Sequence, residues 1–397
     1  MLELLQLMKK KVLKIMKFAI PSFLGISSFI VTISCFSGVL VKVQTISIGG
    51  STAVLPLVNA FSNVYEGIDI VTSAGGSGVG INSVIEDTKE VGMASKNPGM
   101  YTADPSKDKK KELWKEKKIK TVTIAWDGIG IIYRPPKNLD QNQIVDINEE
   151  SLAKIYASFS GVKKITFGDL MGIDNKTEII PFARNGGSEV SGTADAFLKD
   201  SKLKYEESKY WTTELTKEQQ TEIKNKLTNG SYENNVVQTA EANSQAWNRI
   251  KNGPEGSMIY LSSGFILNNK EEIERLGFKI ATYKGTQLLE NEITKNYNWY
   301  RPLNLMYSTT RASNSILEMF KWILFSPESR KVISEQGYVA LTGEQISKMG
   351  WVETPGIADT SNWQSANISF LKEDWDYKLG YCGVGEWKPS SSSKSGE

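Results

Sequence analysis

Histidine is missing from all 397 residues of the chain. With it go the Ser-His-Asp and Cys-His catalytic arrangements, histidine-ligated zinc and any imidazole switch near neutral pH. Cysteine occurs only at Cys35 and Cys382, so no cysteine cluster can hold zinc or an iron–sulfur centre. An excess of charge of one sign is lacking too. Lys and Arg number 47 against 45 Asp and Glu, a net charge of +2, without the strongly basic domain that a nucleic-acid binder shows. The Lys/Glu-rich stretch 103–120 mixes both signs and reads as a solvated face. No metal-ligand cluster stands out and no nucleophile is paired with a base. These absences exclude most common hydrolase chemistries rather than every enzyme; the expectation for the whole chain is a binding protein that is not an enzyme, takes no cofactor and binds no nucleic acid.

What is present begins with an anchor. Lys9, Lys10, Lys11, Lys14 and Lys17 precede an uncharged, mostly apolar run over residues 18–41. As a helix rising about 1.5 Å per residue, that run is long enough to span a bilayer core, and its basic flank predicts that the N-terminus stays inside. Within it, Thr32-Ile33-Ser34-Cys35 resembles a bacterial lipoprotein cleavage box. Thr32 replaces the usual Leu, and residues 36–41 are apolar rather than a polar tether. Lipidation of Cys35, an uncleaved membrane helix and a different cleavage all remain open. All three put residues from about 45 onward outside the cytoplasm, and the first two hold them at the outer face of the membrane.

Hydrophobic residues make up 40% of the chain, enough at this length for two domains. Residues 45–48, 68–72, 91–94, 258–261 and 301–307 read as strands. Val54, Leu57, Val58, Phe61 and Tyr65 recur at helical spacing, and Ile81, Val84 and Ile85 mark a second helix. Further helices are predicted over 150–159, 191–198, 238–250, 316–325 and 327–336. The β-rich runs 121–126 and 129–134 look broken at Asp127-Gly128. Residues 201–234 read as a polar surface insertion, and the Ser/Lys/Gly-rich tail 389–397 as disordered. The alternation predicts an α/β fold.

Three glycine- and hydroxyl-rich turns lie at strand-to-helix junctions: Gly49-Gly50-Ser51-Thr52, Gly75-Gly76-Ser77-Gly78-Val79-Gly80 and Ser191-Gly192-Thr193. A helix N-terminus offers unpaired N–H groups and about half a positive charge. Glycine lets the backbone approach a ligand, and Ser/Thr hydroxyls add donors. With Arg184 just before the third turn, the chain reads as one that grips a small anion.

These fragments, in order, resemble the phosphate-binding protein of high-affinity phosphate ABC importers. The series is Gly50-Ser51-Thr52, Gly75 to Ile81, Val91-Gly92-Met93-Ala94-Ser95, Ile124-Ala125-Trp126-Asp127-Gly128-Ile129, Arg184, Ser191 to Phe197, Arg301-Pro302-Leu303, Ser326-Pro327-Glu328 and Gly337-Tyr338-Val339. The resemblance runs from about residue 45 to 343. It implies a two-lobed periplasmic-binding-protein-like fold with two hinge strands and a central cleft. Lobe one would combine 45–125 with 300–388, and lobe two would span 126–299 after the 1–44 anchor. It also implies a monomer that passes inorganic phosphate to permease and ATPase subunits of an importer.

For the site, the resemblance implies Ser51, Thr52, Ala53, Ser77, Ser95, Arg184, Ser191, Gly192 and Thr193. Two departures stand out. The family places the Ser four positions after the Arg; Ser188 holds that spacing, while Ser191-Gly192-Thr193 lies three residues later. Some members also carry an Asp where this chain has Lys96, which leaves Asp127 as the expected acceptor for a phosphate proton, with Glu189 next. Another oxyanion such as sulfate is an alternative ligand. A carbohydrate-binding or adhesive role is a second alternative, suggested by ten Trp that include Trp351, Trp363, Trp375 and Trp387.

Overall fold

Short β-branched strands alternate with amphipathic helices through most of the chain. The computed structural model describes residues 44–96, 98, 108–342 and 345–346. Strand β1 (Thr45–Gly50) leads to α1 (Leu55–Val64), β2 (Asp69–Ala74), α2 (Ser77–Ile85) and β3 (Val91–Ala94). After α3 (Asp108–Glu116) comes a 15-residue strand, β4 (Ile119–Tyr133), buried along its whole length. The next elements are β5 (Asp146–Ile147), α4 (Glu149–Ser160), α5 (Phe167–Met171), β6 (Ile180–Arg184), α6 (Gly187–Val190) and α7 (Gly192–Lys199). They are followed by α8 (Lys217–Asn229), β7 (Val237–Thr239), α9 (Asn243–Ile250), β8 (Ser257–Ser262), α10 (Ser263–Asn268) and α11 (Lys270–Arg275). The described part closes with β9 (Lys279–Ile280), β10 (Thr282–Tyr283), β11 (Tyr300–Ser308), α12 (Asn314–Phe325), α13 (Pro327–Glu335) and β12 (Val339–Ala340).

The main sheet runs β2-β1-β3-β11-β4-β8-β6-β7, with β9 and β12 also paired to β4. Strands β1, β2 and β3 are mutually parallel, as are β6, β7 and β8; β4 and β11 join the two sets by antiparallel pairing. Parallel strands need helical crossovers, which is why each set is wrapped by helices. Strand β4 serves both sides. Its Val122, Ile124, Ala125 and Trp126 belong to one hydrophobic cluster with Ile46, Leu305 and Phe320, and its Ile129, Ile131, Ile132 and Tyr133 belong to a second with Tyr156, Phe197 and Tyr260.

Two expectations change here. Asp127-Gly128 does not break the strand: both residues lie inside β4, in register with Arg301 and Tyr300 of β11. Gly128 suits a close approach, since a Cβ there would sit 3.0 Å from Ser263. Residues 201–234 do not lie wholly on the surface. Leu203, Tyr210, Trp211, Leu215, Ile223 and Leu227 are buried in the second cluster, and α8 carries its polar side outward. Residues 1–43 and the tail, with Cys35 and the four C-terminal Trp, lie outside the described residues. Among those described, no helix is long and apolar enough to cross a membrane.

The first turn depends on a backbone-to-backbone fit. A Cβ on Gly80 would meet the Met93 carbonyl oxygen at 2.1 Å, and Gly50, at φ +132°, faces the same oxygen. Backbone there cannot yield as a flexible side-chain end would. Gly80→Ala is expected to destabilise the fold by about 1–3 kcal/mol, read as a lower denaturant midpoint. Wild-type stability in that variant would contradict the packing.

Candidate functional site

The three turns meet. Ser51, directly after β1, donates its amide to the Met93 carbonyl at 3.0 Å and its Oγ to Ser95 Oγ at 3.0 Å. Ser77 opens α2 behind Gly76, which sits at φ +84°. Its Oγ accepts the Ser95 amide at 3.0 Å and lies 3.3 Å from Ser95 Oγ. All three serines are fully buried. Gly192 comes up against them from the other side: a Cβ there would lie 2.2 Å from Ser95 Oγ and 2.8 Å from Ser77 Oγ. Glycine is needed at this point because any side chain would displace the hydroxyls. Thr52 is part-buried, and Ala53 is buried with its amide on Ser51 Oγ at 3.3 Å.

Ser191 sets the local structure of the third turn. Its Oγ caps α7 by accepting the Ala194 amide at 3.0 Å, and Gly192 at the start of that helix packs against Ser95 and Ser77. Ser188 lies in the short α6; its Oγ is buried and has no hydrogen-bond partner among the described residues. Glu189 beside it is exposed.

A second arginine completes the cluster. Arg301 on β11 stands in register opposite Asp127 on β4, and both side chains are fully buried. Its Nε and Nη2 reach Asp127 Oδ2 at 3.0 and 2.9 Å. The same guanidinium donates to Ser95 Oγ at 3.4 Å and to Thr193 Oγ1 at 3.2 Å. Asp127 Oδ1 is held by the Ser262 and Ser263 hydroxyls at 2.7 and 3.0 Å and the Gly264 amide at 3.5 Å. Both oxygens are therefore occupied, and Asp127 orients Arg301. Sequence reasoning missed Arg301 as a site residue and treated Arg184 as the only arginine near the turns. Its sole signal was the Arg301-Pro302-Leu303 fragment, and only strand register brings it to Thr193.

Arg184 ends β6 and points into the second cluster. Its Nη1 donates to the Ala240 carbonyl at 3.0 Å and to Thr239 Oγ1 at 3.4 Å, and its Nη2 to Asn243 Oδ1 at 2.7 Å. Burial lowers its pKa from the usual guanidinium value. Asn243 Oδ1 also accepts the Ser262 amide at 3.4 Å. One buried polar network therefore runs Arg301, Asp127, Ser262, Asn243, Arg184. The two departures from the family pattern touch each other: Lys96 Nζ donates to the carbonyls of Glu189 at 2.9 Å and Ser188 at 3.4 Å in α6, the helix inserted before Ser191.

With this geometry in view, comparison with known proteins gives the family. A profile of the PBP (periplasmic-binding-protein) superfamily domain matches residues 41–314. The chain belongs to that superfamily. It is also 31% identical over 339 residues to an uncharacterised lipoprotein of Mycoplasma genitalium, covering 78% of this chain and 86% of the relative. Two crystal structures share the fold. One is the substrate-binding protein assigned to a phosphate ABC transporter of Clostridium perfringens, with bound phosphate: TM-score 0.53, 21% identity, 75% of this chain and 100% of that one. The other is a phosphate-binding protein from Stenotrophomonas maltophilia: TM-score 0.53, 13% identity, 78% of this chain and 94% of that one.

The buried pair sets an energetic expectation. Arg301→Met leaves Asp127 charged and short of two donors, a loss of about 3–5 kcal/mol in unfolding free energy. Arg301→Lys keeps the charge but not the fork, so it should fall between the two. A methionine variant within about 0.5 kcal/mol of wild type, against that range, would rule out a structural role for the pair.

A pH effect follows from Asp200, which closes α7 at its C-terminus. Burial, then Asp195, push its carboxyl up to about 7, against the pull of Arg301. The unfolded carboxyl ionises near 4, so the folded state holds the extra proton between roughly pH 4 and 7. Its contribution is complete below pH 4 and is lost as pH rises through 7. Asp200→Asn should be more stable than wild type at pH 8 and close to it at pH 4, by urea unfolding; a gap that does not widen with pH would contradict this assignment.

Proposed function

We propose that this protein is the extracytoplasmic phosphate-capturing component of an ABC importer, not an enzyme. The reading holds it as a monomer at the cell surface, anchored through its N-terminal segment by lipidated Cys35 or a helix, and has it deliver phosphate to permease and ATPase subunits. The carrying observation is the convergence of Ser51, Ser77 and Gly192 on Ser95, whose Oγ, like that of Thr193, accepts from one guanidinium, Arg301, fixed by Asp127. Buried hydroxyls, helix-end amides and a planar fork make a donor-rich cluster of the kind that suits a small tetrahedral oxyanion. Amides of Thr52, Ala53, Gly192 and Thr193 add donors in this reading, and Arg184 adds the second guanidinium. Two proteins of this fold that bind phosphate, and a lipoprotein relative, support it.

The lobes would be residues 45–125 plus 300–388 and residues 126–299, closing over the anion as β4 and β11 flex. Donors from both hydrophobic clusters around one point favour that motion, because only the closed form lets all of them touch one ligand. One observation favours sulfate as a second reading: the oxygens of Asp127, the expected acceptor for a phosphate proton, are already occupied. The sugar reading has less support, since Trp114, Trp126, Trp211, Trp247, Trp299 and Trp322 are all buried.

Calorimetry on the purified full chain in detergent, with phosphate, sulfate and a sugar panel, tests the reading. Phosphate should bind 1:1, sulfate more weakly and sugars not at all. Arg184→Lys should weaken phosphate at least about tenfold, because one lost charge-assisted bond is worth about 1.5–3 kcal/mol. Sulfate binding more tightly than phosphate would reverse the assignment.

A further inference from the structure

Outside the residues assigned to the anion, one buried phenol joins two parts of the site. Tyr338 lies between α13 and β12, and its neighbour Val339 pairs with Trp126 of β4, the residue before Asp127. Tyr338 is 2% exposed and belongs to the first hydrophobic cluster. Its hydroxyl donates to the carbonyl of Ala53, in the first turn, at 3.1 Å. Its ring lies on the start of α10, where a Cβ on Gly264 would meet Tyr338 Cε1 at 2.4 Å. Gly337, at φ +71°, brings its backbone to the same glycine: a Cβ there would sit 3.0 Å from Gly264 Cα. Ile266 of α10 is buried in the second cluster. Tyr338 therefore holds a turn of one half and packs on a helix of the other.

These contacts close into a circuit. Ala53 donates its amide to Ser51 Oγ at 3.3 Å, and Ser51 donates its hydroxyl to Ser95 Oγ at 3.0 Å. Ser95 Oγ accepts from Arg301 at 3.4 Å, and Arg301 is paired with Asp127. Asp127 accepts from Ser262 Oγ at 2.7 Å, and Ser262 is hydrogen-bonded to the Tyr338 side chain. The Tyr338 hydroxyl returns to Ala53. Burial, then the Asp127 charge, raise the phenol's pKa, so it stays a neutral O–H donor.

A carbonyl oxygen that turned toward an anion would repel it, and a buried carbonyl stripped of its partner is costly. The phenol meets both conditions at Ala53, which is itself buried. Resting on the phosphate reading above, we infer that Tyr338 is a positioning residue for anion binding: its hydroxyl sets the turn of Ser51, Thr52 and Ala53, and its ring couples that turn to α10 beside Asp127. Occupation of the turn and movement of α10 against the first half are then one event.

Calorimetry with inorganic phosphate and hydrogen–deuterium exchange test this on the full chain in detergent, for wild type and Tyr338→Phe. Phenylalanine keeps the ring on Gly264 and removes only the hydroxyl. The variant should bind phosphate at least about threefold more weakly, as expected for one lost neutral hydrogen bond. Without ligand, its amides at residues 52–55 should exchange at least about tenfold faster, while those of β6 and β8 keep wild-type rates. A purely structural role would lower the unfolding midpoint but leave the affinity of the folded protein and this local exchange unchanged. A smaller loss of affinity in the folded variant therefore overturns the positioning role and leaves the phosphate reading standing. The wild type supplies a check that needs no variant: phosphate should slow exchange at residues 51–55, 262–264 and 337–339 together. Slowing at 51–55 alone overturns the coupling. A wild type that binds no phosphate overturns the phosphate reading, and this role with it.

Discussion

The ion pair between Asp127 and Arg301 is the constraint on which the rest of the site depends. Taking both charges out of water is expensive, and mutual attraction offsets that only when the remaining lone pairs and N–H groups are also engaged. Here three donors from Ser262, Ser263 and Gly264 hold the free side of the carboxylate. The rest of the guanidinium is turned to Ser95 and Thr193. Ser95 follows β3 of the first cluster, and Thr193 lies in α7 against the second. The fork therefore ties both halves to β4 and β11. Register carries this arrangement: a one-residue slip of β11 along β4 would turn Arg301 to the opposite face of the sheet.

Much of the fold was legible because its signals are local. Residues 91–94, 316–325 and 327–336 show β-branched runs, helical periodicity or a Ser-Pro start within a short window, and the elements found there begin and end within two residues of expectation. Asp127-Gly128 misled for the same reason. Asp-Gly is a turn signal on local grounds, and nothing nearby reveals that Gly128 is pressed against Ser263 or that the Asp has an arginine partner 174 residues away. Tyr210 and Trp211 were hidden by the charged residues around them, yet both are buried. The hydroxyl turns could be read one by one. That they meet at Ser95, which Arg301 also touches, is a property of sheet order, which composition and periodicity do not encode.

The departures from the family pattern make physical sense together. Measured against the resembled pattern, three further residues precede Ser191, and α6 lies there, with the carbonyls of Ser188 and Glu189 reached by Lys96. Carbonyls at a helix C-terminus attract a cation, and Lys96 supplies one to those of Ser188 and Glu189. An aspartate at position 96 would face those carbonyls with repulsion. The extension and the lysine thus form one compatible unit.

Two carboxylates beside two arginines have opposite surroundings, and that contrast sets what each can do. Asp127 sits among hydroxyls and an amide that converge on its oxygens, so its charge is spent on fixing Arg301 and it has no lone pair to offer a ligand. Glu241 carries a charge felt by Arg184, whose outer nitrogens are drawn to Ala240, Thr239 and Asn243, and receives no hydrogen bond among the described residues. Asn243 is what separates the two roles. Its Oδ1 accepts from both Arg184 and the Ser262 amide, so it links Arg184 to the Asp127 end of the network. The positions of two donors, not residue type, make one acid structural and leave the other available.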